Sequence, residues 1–299
     1  MIGGLVAAII FGLFVGLCSG LLGIGGGVIM VPAFRLLFGM SALASTATSL
    51  FTIIPTSISG AISHLRNRTC IPKLGLALGI GGACLSPVGV LLAAHSPAWL
   101  VLLAAAAVMA YSAFTMFRKA LNAPNNDAVE AKNASASTAP SAPAAPTVPS
   151  APAAPTVPTV PAVPTAPTAP SFRPTKRHLV IGLAIGLVAG LISGYVGVGG
   201  GFIMVPLMLS FIGLPMRQAS GTSLIAVMIL AIPGAISQGI LGNIDFRVGI
   251  VTACGTIPGA FLGGQLASRV PERTLRFIFA SFLIFAAILM ALKEFGVLL

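Results

Sequence analysis

Two stretches hold the residues best suited to chemistry: GIGGGVIMVP at 23–32 and GVGGGFIMVP at 197–206. Three adjacent glycines followed by a proline weaken any helix, because glycine carries a large backbone entropy cost and proline removes a hydrogen-bond donor. Both stretches lie in apolar surroundings. A helix interrupted inside a membrane leaves backbone polar groups that lipid cannot satisfy, so such a break survives only against protein or a watery cavity. The amides of Gly25, Gly26 and Gly27, and of Gly199, Gly200 and Gly201, are expected to form an anion site with the positive dipole end of the helix that restarts after each triplet. Close packing by small residues is the competing explanation, but it does not require three adjacent glycines plus a following proline. A nucleotide-binding loop is excluded, since no Lys-Ser/Thr follows either triplet.

Hydroxyls gather around these stretches. Ser19 and Ser193 precede the two triplets, and Thr48, Ser49, Thr222 and Ser223 open the third apolar segment of each half. They are expected to donate to an anion's oxygens, against the alternative that they bond their own or a neighbouring helix backbone. Carboxylates are nearly absent from the apolar segments: Asp127 and Glu130 lie in a linker, Asp245 and Glu272 beside loops, and Glu294 near the end. Intramembrane carboxylates mark proton relays and cation sites, so their absence disfavours a cation pump and fits an anionic substrate. His64 is the candidate for proton coupling, since histidine titrates near neutral pH. The competing reading makes it an interfacial residue beside Arg66 and Arg68, and the matching position in the second half is Gln238, which carries no proton. No Ser-His-Asp, HExxH or paired-carboxylate pattern occurs, so no enzyme is expected. Cys18, Cys70, Cys84 and Cys254 are scattered and read as reduced packing residues. No metal and no cofactor are expected.

These residues need helices to position them. The chain has 299 residues, 57% hydrophobic and 7% charged, with a mean hydropathy of +1.04, a composition outside the soluble range. An all-α polytopic membrane protein follows. Ten apolar segments are expected, near 2–22, 26–39, 45–63, 71–94, 97–117, 178–196, 200–213, 220–240, 246–267 and 274–297. The first is read as a span and not as a cleaved signal. Displacing the sequence by 174 positions aligns the halves without a gap, and 13 of 24 residues between 16–39 and 190–213 are identical. Two homologous five-segment repeats with glycine-broken helices, 1–118 and 177–299, therefore flank a linker at 119–176. From 140 to 170 a proline falls at every third position, which favours polyproline II. The linker is read as a flexible spacer, with a docking site for a proline-recognising partner as the sharper alternative.

Charge sets orientation. The net charge of +11 comes from basic residues in loops between apolar segments, so no nucleic-acid partner is expected. If all ten segments cross, Arg35, Arg247 and Lys293 fall on one side and the other thirteen Lys and Arg on the opposite, cytoplasmic side. If the two short segments at 26–39 and 200–213 enter and leave on one side, the split is poorer, which favours ten crossings within a range of 8–10. Five crossings per half would invert the second repeat relative to the first, and paired helix breaks in inverted repeats point to a transporter's binding site.

The doubled GxGGGxxxVP with its preceding Ser-Gly, the Thr-Ser-Leu at 48–50 and 222–224, GAISHLRN at 60–67 and GNIDFR at 242–247 resemble the sulfite exporter TauE/SafE family of bacterial inner-membrane proteins. The resemblance covers everything except the linker. It implies a multi-pass protein of the bacterial inner membrane that exports or takes up small anions, sulfur-containing ones such as sulfite and sulfonates above all. The expected partners are a small anion and the lipid bilayer; self-association and a linker-binding protein stay open. An anion channel of the same fold and a non-transporting scaffold acting through its linker are the alternatives.

Overall fold

A computed structural model describes residues 2–121 and 174–294. Most of the linker, including its proline repeat, lies outside the described residues. Among those described, the chain is helical throughout: α1 (Ile2–Leu22), α2 (Gly27–Leu37), α3 (Ala42–Arg66), α4 (Pro72–Ala94), α5 (Ala98–Leu121), α6 (Lys176–Val196), α7 (Gly201–Leu207), continued by one π turn (Met208–Ile212), α8 (Met216–Ile240), α9 (Phe246–Ala267) and α10 (Glu272–Glu294). Each expected apolar segment finds its helix. Some ends extend further: α3 begins at Ala42 because the Ser41 hydroxyl caps it, accepting from Ala44 N at 3.2 Å.

Six of these helices are long and apolar enough to cross a membrane. The restarting helix of each half is not. α2 has 11 residues, about 17 Å at 1.5 Å per residue, against a hydrocarbon core of about 30 Å.

The halves interleave. α1 packs on α9 and α6 packs on α4, contacts related by the 174-residue offset. A Cβ placed on Gly16 would come 2.3 Å from Thr256 O, and one on its counterpart Gly190 would come 2.2 Å from Gly82 O. Gly12, Gly16 and Gly20 meet Thr252, Thr256 and Ala260 in turn, so α1 and α9 run the same way at the close approach that small residues permit in membrane helices. At the centre α3 crosses α8. Gly60 lies against Leu224 and Gly234 against Leu50, positions again 174 apart, so these two helices run in opposite directions. α5 packs on α10.

Candidate functional site at the paired helix breaks

Each break is made by left-handed backbone. Gly23, Gly25 and Gly26 have φ of 74°, 83° and 87°, and Gly197 and Gly199 have 71° and 79°, a region that costs an L side chain about 1–2 kcal/mol. The match stops one residue later, where Gly200 has φ −70°. The same motif thus starts α2 and α7 from different backbone conformations.

The two breaks touch. A Cβ on Gly27 would lie 2.2 Å from Val198 O, and one on Gly201 would lie 2.3 Å from Gly23 O. Between them stand Ile53 and Val227, a matched pair of fully buried side chains: Gly25 lies beside both, and so does Gly199. Ile53 is midway along α3, so α2 starts at the centre of the bundle and ends at the surface, where Leu37 is 66% exposed. Residues 19–34 and 196–206 are otherwise buried without interruption.

The centre offers hydrogen-bond donors. Neither N-cap, Gly26 or Gly200, carries a side-chain hydrogen bond, and the first amides of any helix have no partner within it. The hydroxyls of Ser19, Ser57 and Ser193 are buried and bond to no protein atom. Ser57 Oγ is 3.6 Å from the Cβ position of Gly25, and the Ser19 Cβ is equally close to that of Gly26. Helix-start amides and buried hydroxyls, with no carboxylate near, suit a small oxyanion.

The structure gives the four matched hydroxyls a different task from donating to a ligand. Ser49 donates to Gly197 O and Ser223 donates to Gly23 O at 2.7 Å, each reaching across to the other half's break. Thr48 Oγ1 accepts from Asp245 N and Thr222 Oγ1 from Ile71 N, both at 3.0 Å, so each pins the loop that opens the other half's fourth helix. In this conformation they join the halves around the centre. Ser57, which sequence matching passes over because its counterpart is Ala231, is the hydroxyl that faces a triplet.

His64 lies outside this cluster. It is fully buried; Nε2 donates to Gly20 O at 2.8 Å and Nδ1 pairs with Thr69 Oγ1 at 2.8 Å. It does not face the surface: both ring nitrogens are engaged inside the protein, tying α3 to α1 and to the turn after α3. Its counterpart keeps part of this arrangement, with Asn243 Nδ2 donating to Gln238 Oε1 at 2.9 Å. Asp245 caps α9, accepting from Arg247 N and Val248 N at 3.0 and 3.1 Å. With Phe246 and Arg247 it lines an open recess of about 670 Å³ at the end of the bundle where α9 begins. Among the described residues no three His, Cys, Asp or Glu gather as metal ligands. The four cysteines are unpaired thiols, and burial pushes Cys70 up to about 11.

A family model described as sulfite exporter TauE/SafE matches residues 8–290. Among curated proteins, the probable membrane transporter protein YunE of Bacillus subtilis is 25% identical over 90% of this chain and 89% of its own length. The probable membrane transporter protein YjnA of the same organism is 22% identical over 93% of this chain and 96% of its own. A third, the probable membrane transporter protein YdhB, is 30% identical over 34% of this chain, and the match spans 41% of that relative. No solved structure matches.

Proposed function

This chain belongs to the sulfite exporter TauE/SafE family of membrane transporters, and from that premise we propose that it moves a small sulfur-containing oxyanion or organosulfonate across the bacterial inner membrane by alternating access. The anion sits where the two breaks meet, held by the amides that open α2 and α7 and by the hydroxyls of Ser19, Ser57 and Ser193. The observation that carries this reading is the pair of buried, unpartnered hydroxyls of Ser19 and Ser57 beside the first glycine triplet, which touches the second, in a region without carboxylates. Such donors favour a negative charge, and no carboxylate stands near to favour a cation.

The halves act as inverted repeats, a reading supported by the opposed directions of α3 and α8 and by hydrogen bonds that recur at the 174-residue offset. Rocking one half on the other then exposes the centre to each side in turn. The basic ends face the cytoplasm. Uptake of radiolabelled sulfite, sulfate and a small sulfonate into proteoliposomes, with and without a pH gradient, tests the proposal. Saturable uptake of a sulfur anion is expected. Absence of uptake of all three would contradict it.

A further inference from the structure

One groove on the bundle has no use in the transport reading. It lies between α5, α6 and the α7 segment, has a volume of about 480 Å³, and is lined by residues that include Val108, Ser112, Ile192, Pro206 and Ser210. Its lining is mostly apolar. The corresponding place in the other half is filled: Phe282, the counterpart of Val108, packs into the cluster of Val15, Ile29, Met30 and Phe34. A smaller side chain at 108 accompanies the opening.

The groove has a charged end. Along α5 it runs from Ala107 to Thr115, and one turn further on Lys119 Nζ donates to Ser210 Oγ and reaches to 3.5 Å from Pro206 O, both groups belonging to groove residues. Arg118 is adjacent in sequence, and Arg276 donates to Lys119 O. The only carboxylate of the described residues bonded to this group is Glu272, which pairs with Arg276 at 3.1 Å. Apolar length ending in excess positive charge at a membrane surface matches a lipid with a negative headgroup. The opposite wall carries a π turn at Met208–Ile212, a feature that marks functional irregularities in helices.

We propose that this groove binds one anionic phospholipid, its acyl chain along Val108 and Ile192 and its headgroup phosphate at Lys119. The occupant lies against the helix that starts at Gly201, so it supports the second break from outside while the first is supported by Phe282 of the chain itself. The inference does not depend on the identity of the transported anion.

Native mass spectrometry of the full chain, released from micelles doped with phosphatidylglycerol or phosphatidylcholine, tests this. The wild type is expected to retain phosphatidylglycerol about fivefold better than phosphatidylcholine, the factor that one lysine's attraction for an anionic surface provides. V108F, which copies the filled half, is expected to lose retention of both, and K119Q to keep retention but lose the preference. S112F is the second plug if V108F does not yield a monodisperse protein. Equal retention of the two lipids by the wild type, or retention at the wild-type level in the folded plugged variant, would overturn the proposal. Because no transported anion is present, the outcome is independent of the flux assay.

Discussion

Ser223 donates to the carbonyl oxygen of Gly23 at 2.7 Å, and Ser49, 174 residues earlier, donates to the carbonyl of Gly197. Each half therefore holds the other half's helix break in place. Ser223→Ala leaves a buried carbonyl short of a donor, at about 1–3 kcal/mol. The expected result is a lower melting temperature in detergent together with reduced anion flux, and a similar loss for Ser49→Ala. Flux and stability unchanged in both would remove the hydroxyls from the account of the breaks.

The two triplets should respond unequally to alanine. Gly26→Ala places a side chain at φ 87°, costing about 1–2 kcal/mol, whereas Gly200→Ala sits at φ −70°, where the tight neighbours are side-chain ends of Leu230 and Met204 and the Ala189 carbonyl is at ordinary contact distance, 3.4 Å. Thermal denaturation should show the first clearly destabilised and the second nearly neutral. Gly27→Ala and Gly201→Ala drive a methyl into backbone carbonyls at 2.2 and 2.3 Å, and are expected to yield little folded protein, as overpacking against rigid atoms does.

Much of this was legible in the sequence. The breaks, the duplication and the helical segments announce themselves, because glycine, proline and hydropathy act locally. The exchange of partners, α1 with α9 and α4 with α6, did not, since glycine spacing marks a packing face without saying which helix meets it. Matching the halves drew attention to Thr48, Ser49, Thr222 and Ser223, and these duplicated hydroxyls bind backbone in the opposite half. Ser57 had no duplicate to mark it, although it faces Gly25. His64 beside two arginines reads as an interfacial residue because the sequence does not show that Gly20 presents its carbonyl to the ring.

Arg68 is the only non-glycine residue with positive φ among those described, at 54°, and its counterpart is Gly242 at 71°. The turn after α3 thus carries strain that the turn after α8 avoids. Arg68→Gly is expected to raise stability by up to about 1 kcal/mol, the relief of left-handed strain less the entropy cost of glycine. Chemical denaturation in detergent would show the shift.

These matched turns also report orientation. In a cysteine-free background, Arg68→Cys and Leu241→Cys are exposed sites at corresponding ends of α3 and α8. Inverted repeats place them on opposite sides, so an impermeant maleimide applied to intact cells should label one and spare the other. Labelling of both from one side would contradict inversion.

On the proposed mechanism one anion site is presented to the two sides of the membrane alternately. Counterflow separates this from an open pore: proteoliposomes preloaded with unlabelled sulfite are diluted into a trace of labelled sulfite, and uptake is followed. Alternating access gives a transient accumulation of label above equilibrium, lost in Gly26→Leu. Label that only equilibrates, at a rate indifferent to the preload, would mean an open pathway and contradict alternating access.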